Sequence, residues 1–507
     1  MGFIENEAFA QNAKQFQRPL KHTKITPISV VSFKKDETAF QGLRVVNVKE
    51  VSFPLTLLSG ESVILDFGDH CVGYLHYVLN HDPLHITDSP VSLQFTFGEF
   101  PYEIVKKPEE YDGELGSGWL QNETRNIPFT PYTGSLERRY SFRFLKIERK
   151  DTAKFPTILT GVFADCVSAV ALGDVPKFDI SDPTLEKIYN VSLKTLKECE
   201  QDVFEDGPKR DRRLWIGDLR LQALTDNVTF QNSDLIKRCI YLFSAYRNDT
   251  RYVAPCVFPD SAPYVDGWYF LDYSLFYISC LYDYTERYED LAFLKETYPL
   301  ALEQAEKVWK LFESGNGEFG TVAFVDWCKD LDKSVAMLGV FIYTLKQLVS
   351  LAKKIGEEYA VLEKRIEQVR QALLARYSEE TGLFVTENGQ FSWHSQIWAV
   401  LANVLPQENN RTILQNMKDG DLEFYIHTPY MMHYYIEALY TNGLKEQAID
   451  KIKSYWGKIV AYGLDCCPEI FNLNDHFESP YGAAEINSAC HAWSCTPAYW
   501  IYKYYHE

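Results

Sequence analysis

The sequence predicts a two-part chain of β and α structure, an N-terminal β-sandwich followed by an all-helical part that reads as an α-bundle, a solenoid or an (α/α)6 toroid. Apolar and polar residues alternate with period two through the first third. Near residue 180 the apolar spacing changes to three and four, and it stays so to the C-terminus. No repeat of solenoid length divides this second part. At 507 residues the chain is also too long for one core. The expected division is a sandwich domain over 1–178 and a barrel domain over 179–507.

The sandwich rests on particular strands. Val91, Leu93, Phe95 and Phe97 alternate with Ser92, Gln94 and Thr96, which reads as a half-buried strand. Val63, Leu65 and Phe67 do the same and run into Gly68-Asp69, a turn signal. Tyr140, Phe142 and Phe144 alternate with Ser141 and Arg143. Ser59-Gly60, Asp112-Gly113 and Thr133-Gly134 punctuate the region as further turn signals.

The barrel begins at Asp182-Pro183, an N-cap followed by a proline at the first helical position. Leu185, Ile188, Tyr189, Leu193 and Leu196 then mark one helical face. Helical periodicity continues over about twelve segments: 184–203, 217–231, 233–248, 271–287, 290–314, 332–355, 358–378, 392–403, 408–418, 430–442, 444–460 and 488–505. The connections near 204–216, 249–270, 315–331, 379–391 and 461–487 are longer and hold most of the Trp, Asp, Gly and Pro of this half. In a toroid such loops converge on a central funnel, where a ligand would sit.

Composition narrows the ligand. The net charge of −19 disfavours nucleic acid and anionic membrane surfaces, and suits a neutral small molecule. Aromatic residues reach 15%, and flat aromatic faces suit sugars as well as ordinary cores. The N-terminal stretch has no apolar core of signal-peptide length, the myristoylation pattern fails after Met1-Gly2, and apolar runs such as 338–342 are too short to span a bilayer. Eleven scattered cysteines form no CxxC pair, and no EF-hand loop is present. The expectation is a cytoplasmic protein with free thiols, no cofactor, no required metal and no membrane or nucleic-acid partner, as monomer or homodimer.

Three groups of residues could carry chemistry. The first is Glu205 to Asp218, EDGPKRDRRLWIGD, with Asp206, Asp211 and Asp218 among four cations. Glycoside hydrolysis needs a proton donor and a second carboxylate. A charge run of this kind is equally readable as a solvated, salt-bridged loop that caps the next helix. The second group is Gly463 to Tyr481, with Glu469 after a proline and with Asp475, His476 and Glu478 further along. The third pairs tryptophan with polar groups: Asp266-Gly267-Trp268, Asp326-Trp327 and Ser392-Trp393-His394. Each Trp could pack on a sugar face or plug the end of a helical hairpin. His491, before the last apolar segment, reads alone as a satisfied core histidine. No GxSxG, Walker A or HExxH motif is present.

DGPKRDRRLWIGD resembles the signature of bacterial α-L-rhamnosidases, glycoside hydrolase family seventy-eight. PYMMHYYIEA at 429–438, Tyr455-Trp456-Gly457, Pro468-Glu469 and SACHAW at 488–493 fall in the family's order. LDFGDHCVGYLHY, YDGELGSGWLQ and RRYSFRFLKI resemble its β-sandwich. The resemblance implies an N-terminal β-sandwich followed by an (α/α)6 barrel, and an inverting glycoside hydrolase that removes terminal α-L-rhamnose from small rhamnosides or oligosaccharides. It implies Asp211 as general acid and Glu469 as general base. Asp206 and Asp218 would contact sugar hydroxyls, with Arg210 and Trp215 beside them. Trp268, Asp326, Trp327 and His491 would be pocket residues. Two departures are visible. The acid position holds Asp where many members have Glu, and the chain ends at Glu507, just past the last expected helix, as a minimal form suited to small cytoplasmic substrates. The alternatives are a hydrolase of another deoxy- or uronic-acid-capped glycoside, and a catalytically silent sugar-binding protein.

Overall fold

The computed structural model describes residues 3–84, 90–250, 252–259, 262–315, 317–419, 422 and 424–507. Met1 and Gly2, read above for a lipidation signal, lie outside them. Among the described residues the N-terminal part is a ten-stranded antiparallel β system, and twelve helices of ten residues or more follow it.

The sandwich is organised around one long strand, Ser62–His81. Its first residues pair with Tyr140–Arg149, and its last with Thr157–Ser168 and Tyr132–Ser135. Leu65, Phe67, Leu75, Tyr77, Phe95 and Phe142 fill the core between the layers. Strand Val91–Gly98 shows the expected alternation, its odd positions buried.

Two expected turns are not turns. Gly68-Asp69 lies inside the long strand. Gly68 takes φ +81, and a Cβ there would meet Ile28 Cδ1 at 2.5 Å. The Asp66 carboxylate accepts the Gly68 amide at 2.7 Å, and the register with the neighbouring strand shifts opposite this point. Such a bulge bends a strand and re-aims the side chains that follow without reversing the chain. Thr133-Gly134 likewise sits within strand Tyr132–Ser135.

The helices form six hairpins, each an outer helix leading to an inner one. They are Pro183–Cys199 with Ile216–Asp226, Ser233–Ala245 with Leu271–Tyr288, Leu291–Glu313 with Ser334–Ile355, Ala360–Leu374 with Trp393–Ala402, Gln407–Asp419 with Pro429–Thr441, and Lys445–Ala461 with Pro497–His506. The inner helices other than Pro497–His506 bury most of their residues, and every residue of Trp393–Ala402 is buried. Of the outer helices, Ala360–Leu374 buries one stripe, Leu362, Val369 and Leu373, whereas Ser233–Ala245 buries most of its residues. Ser334–Ile355 is long and apolar enough to cross a bilayer, contrary to the reading from short apolar runs, but it is packed inside the barrel.

The direction of the hairpins positions the site. Every outer-to-inner connection is longer than the inner-to-outer turns, and these longer loops all lie at the N-terminal ends of the inner helices.

Two further differences concern boundaries. The last helix starts at Pro497 rather than 488, and residues 488–496 form a buried irregular segment. Its amides bond to distant loops: His491 N donates to Cys467 O and Ala492 N to Asp206 O. The second is at the N-terminus. Phe3–Glu5 pairs with Tyr246–Asn248, and Ala10 and Ala13 of helix Glu7–Gln15 join the core of the helical part. These residues therefore pack on the barrel, although they precede the sandwich in the chain.

Candidate active site

The long loops enclose a cavity of about 690 Å³ at the mouth of the barrel. Asp206, Arg210, Asp211, Trp215, Asp218, Trp268, Asp326, Trp327, Glu469 and His491 all line it. The structure thus brings the ten residues that the resemblance assigns to the site into one pocket.

The 205–218 loop folds around Asp206. Its carboxylate accepts the amides of Asp211 and Arg213, both at 3.0 Å. Gly207 is required by close approach, since a Cβ would meet Arg210 O and Ser488 Oγ at 2.6 Å. The four cations go separate ways. Lys209 turns into the sandwich, 2.9 Å from Glu103. Arg212 turns away to the carbonyls of Pro208 and Arg139. Arg213 lies over Phe258 and 3.5 Å from Asp211. Only Arg210 points to the centre.

Arg210 joins the two halves of the site. One terminal nitrogen is 3.3 Å from Asp211 Oδ1, and the other donates to Glu469 Oε2 at 2.6 Å. Its guanidinium stacks on the Tyr481 ring at 4.1 Å. Tyr481 in turn donates its hydroxyl to Glu469 Oε1 at 2.5 Å. Glu469 is buried, and its main chain is fixed from both sides. Its amide donates to Ser488 O, and its carbonyl accepts from Trp493 Nε1.

The floor of the pocket gathers acids with few countercharges. Burial, then the Asp211 charge, pushes the Asp206 carboxyl up to about 8. Burial, then the Asp206 and Glu469 charges, pushes Asp218 well above the usual carboxylate range. Burial, then Arg210, lowers His491 to about 3, so its imidazole is neutral at ordinary pH. Among the described residues, Trp215 Nε1, Asp218 Oδ1 and His491 Nδ1 are buried without a hydrogen-bond partner. All three side chains line the cavity, so a polar ligand there meets a convergent set of donors and acceptors.

Aromatic rings form the walls. Trp268 is 65% exposed and Trp327 is 38% exposed, at a cavity also lined by Phe270, Phe324 and Trp493. Trp393 does not join them. It is buried against Tyr425 and Tyr435 and plugs its hairpin. Asp326 lines the cavity, but both its oxygens are engaged, one with His394 Nε2 at 2.8 Å and one accepting from Thr428 at 2.5 Å. Of the late-loop candidates, Glu478 lines the cavity, whereas Asp475 and His476 line a small recess around Phe40.

Sequence reasoning missed Tyr481, Phe270, Lys333, His427 and Thr428. Phe270, Lys333 and Thr428 share one signal with Trp215. Each is the residue immediately before an inner helix. Tyr481 ended a stretch already singled out, but its bond to Glu469 depends on how a loop of more than thirty residues, 462–496, folds back.

Comparison with known proteins agrees with this geometry. Residues 27–166 match the glycosyl hydrolase family 78 α-rhamnosidase N-terminal domain, and residues 174–505 match the bacterial α-L-rhamnosidase six-hairpin glycosidase domain. The chain belongs to glycoside hydrolase family 78. It is a glycoside hydrolase of the α-L-rhamnosidase type. This family-78 enzyme is similar to a rhamnosidase from Klebsiella oxytoca, solved with rhamnose bound, at 39% identity and TM-score 0.94, over 99% of this chain and 100% of that one. The fold is shared with a family-78 rhamnosidase of Bacillus sp. GL1 (19% identity, TM-score 0.74, 90% of this chain and 48% of that one). It is shared also with a Streptomyces avermitilis α-L-rhamnosidase complexed with L-rhamnose (14% identity, TM-score 0.66, 96% and 44%). No curated protein matches the chain.

Proposed function

We propose that this enzyme removes terminal α-L-rhamnose from small rhamnosides or oligosaccharides with inversion at the anomeric carbon. Asp211 protonates the glycosidic oxygen, and Glu469 deprotonates the attacking water. The observation that carries this reading is the Arg210 guanidinium, which bonds Glu469 with one terminal nitrogen and faces Asp211 with the other. The guanidinium thus stands against both carboxyls. Inverting pairs stand about 6.5–9.5 Å apart, to leave room for water between base and sugar.

The donor side needs a proton at neutral pH. Burial, then the Asp211 charge, pushes the Asp206 carboxyl beside it up to about 8. Asp211 is the more exposed of the two, with 16% of its side chain accessible against 7% for Asp206. The base side is held by Tyr481 and Arg210, which aim Glu469 without closing it off from the cavity. The sugar sits between the Trp268 and Trp327 faces, with its hydroxyls on Trp215, Asp218 and His491. The rhamnose bound in the Klebsiella relative supports the choice of sugar.

Asp211→Asn and Glu469→Gln, assayed on a chromogenic α-L-rhamnoside, should each lower kcat by about 10²–10⁴-fold. Wild-type activity in either variant would remove that residue from its role.

A further inference from the structure

At the seam between sandwich and barrel, side chains from distant parts of the chain converge on a point that the reaction does not use. His70, Cys466 and Cys490 each bring one ligand atom to within 4.8 Å of the others, and all three are buried. Cys199 adds a further buried thiol, its Sγ 4.0 Å from that of Cys490. His70 follows the Gly68 bulge, Cys199 closes the first outer helix, and the other two belong to the 462–496 loop.

The histidine is oriented from behind. Its Nε2 lies 3.1 Å from Glu99 Oε1 and 3.0 Å from Ser141 Oγ. Ser141 donates its hydroxyl proton to that same Glu99 oxygen at 2.8 Å. Both neighbours of Nε2 therefore act as acceptors, and Nε2 carries the proton. Nδ1 is left buried on the other side, where its one polar neighbour is the Cys466 thiol. A carboxylate behind an imidazole is the arrangement that fixes the tautomer of metal-binding histidines.

We propose that His70 Nδ1, Cys466 Sγ and Cys490 Sγ bind one zinc ion at this seam, with Cys199 Sγ as the fourth ligand. Zinc takes such nitrogen and sulfur sets tetrahedrally, with Zn–S about 2.3 Å and Zn–N about 2.0–2.1 Å. The three grouped ligand atoms then close by a fraction of their present spacing, and Cys199 Sγ, 4.0 Å from Cys490 Sγ but outside that group, moves in to join them. Three S–H bonds break, three Zn–S bonds form, and three protons leave to solvent. The resulting site carries one net negative charge, and Lys194 lies within the electrostatic reach of Cys466.

The consequence reaches the active site through the chain. Cys466 precedes Glu469 by three residues, and Cys490 immediately precedes His491. Zinc would tie both ends of the loop that carries the base to the sandwich strand that holds His70. This is a structural ion, since none of its four ligands lines the substrate cavity.

The test uses the full chain, purified under reducing, chelator-free conditions, loaded with Zn²⁺ alone and freed of excess metal. Elemental mass spectrometry should find one zinc per chain. Loading with Co²⁺ instead should give near-ultraviolet thiolate-to-cobalt absorption and the intense visible bands of a tetrahedral site. His70→Gln and Cys466→Ser should lose the metal while keeping the far-ultraviolet circular dichroism. Should either variant fail to fold, the cobalt spectrum of the wild type decides alone. Zinc below about one tenth per chain after loading overturns the proposal. So does a cobalt spectrum without thiolate absorption, or a Cys466–Cys490 or Cys199–Cys490 disulfide in wild-type peptides.

Discussion

The two ends of the barrel treat buried charge in different ways. At the loop end, Asp206 and Asp218 lie near other carboxylates, and both are pushed toward the protonated form. At the turn end, a recess of about 420 Å³ holds Arg220 with Asp283, Tyr343 and Glu437. Arg220 donates to the Tyr343 hydroxyl at 2.5 Å, Tyr343 donates to Glu437 at 2.7 Å, and Arg220 stands 3.5 Å from Asp283. Burial would raise Glu437, but the Arg220 charge and the His433 hydrogen bond bring it down to about 2. At the turn end Arg220 holds Glu437 ionised, although burial and the Glu437 charge push the neighbouring Asp283 up to about 7. At the loop end Asp206 and Asp218 both stay above the usual carboxylate range, at the floor of the larger cavity. The first arrangement serves stability and the second serves a ligand.

That contrast can be broken by exchanging charge at each end. Glu437→Gln leaves Arg220 undercompensated and should cost about 3 kcal/mol in urea unfolding, with kcat/KM of the folded enzyme unchanged within about twofold. The pH dependence has a definite sign. A carboxylate depressed in the folded state stabilises above its unfolded value, and that stability is lost as pH falls. Glu437 therefore contributes fully above its ordinary value of 4.5 and loses the contribution toward about 2. The variant should lack this acid-side slope.

Asp218→Asn should do the reverse. It removes a buried carboxyl from like charges, so stability at neutral pH should hold or rise by up to about 1 kcal/mol. Because the pocket loses a hydroxyl acceptor, kcat/KM should fall about 10²-fold. A destabilised but fully active Asp218→Asn would show that both ends are structural. The smallest effect is expected at Tyr481→Phe, which deletes one hydrogen bond to Glu469. It should lower kcat by about tenfold, or about 1.4 kcal/mol, with little change in KM.

Much of this was legible in the sequence, for physical reasons that differ by region. The helix segments were readable because an outer helix such as Ala360–Leu374 buries one stripe, and its periodicity survives any tertiary context. Asp182-Pro183 announced the first helix, and the Asp182 carboxylate does cap it. The dense charge of 205–218 marked a site because five of its residues turn inward to line one cavity. Segment 488–496 was misread as helix. Ala489, Cys490, Ala492 and Trp493 have helical spacing, yet the His491 and Ala492 amides bond to loops far away in the chain. The Gly68 bulge was misread because a glycine with a following Asp signals a turn, and only the neighbouring strands show that the chain continues. The thiols beside His70 were invisible as a group. Their residues are 70, 199, 466 and 490, with no spacing to recognise.

The proposed function makes one claim above the others: water attacks from the face opposite the leaving group. Proton NMR of the anomeric signals during the first minutes of α-L-rhamnoside hydrolysis tests it directly. The account predicts that β-L-rhamnose appears first and the α anomer grows in only by mutarotation. Initial release of α-L-rhamnose would contradict it and make the second carboxylate a nucleophile.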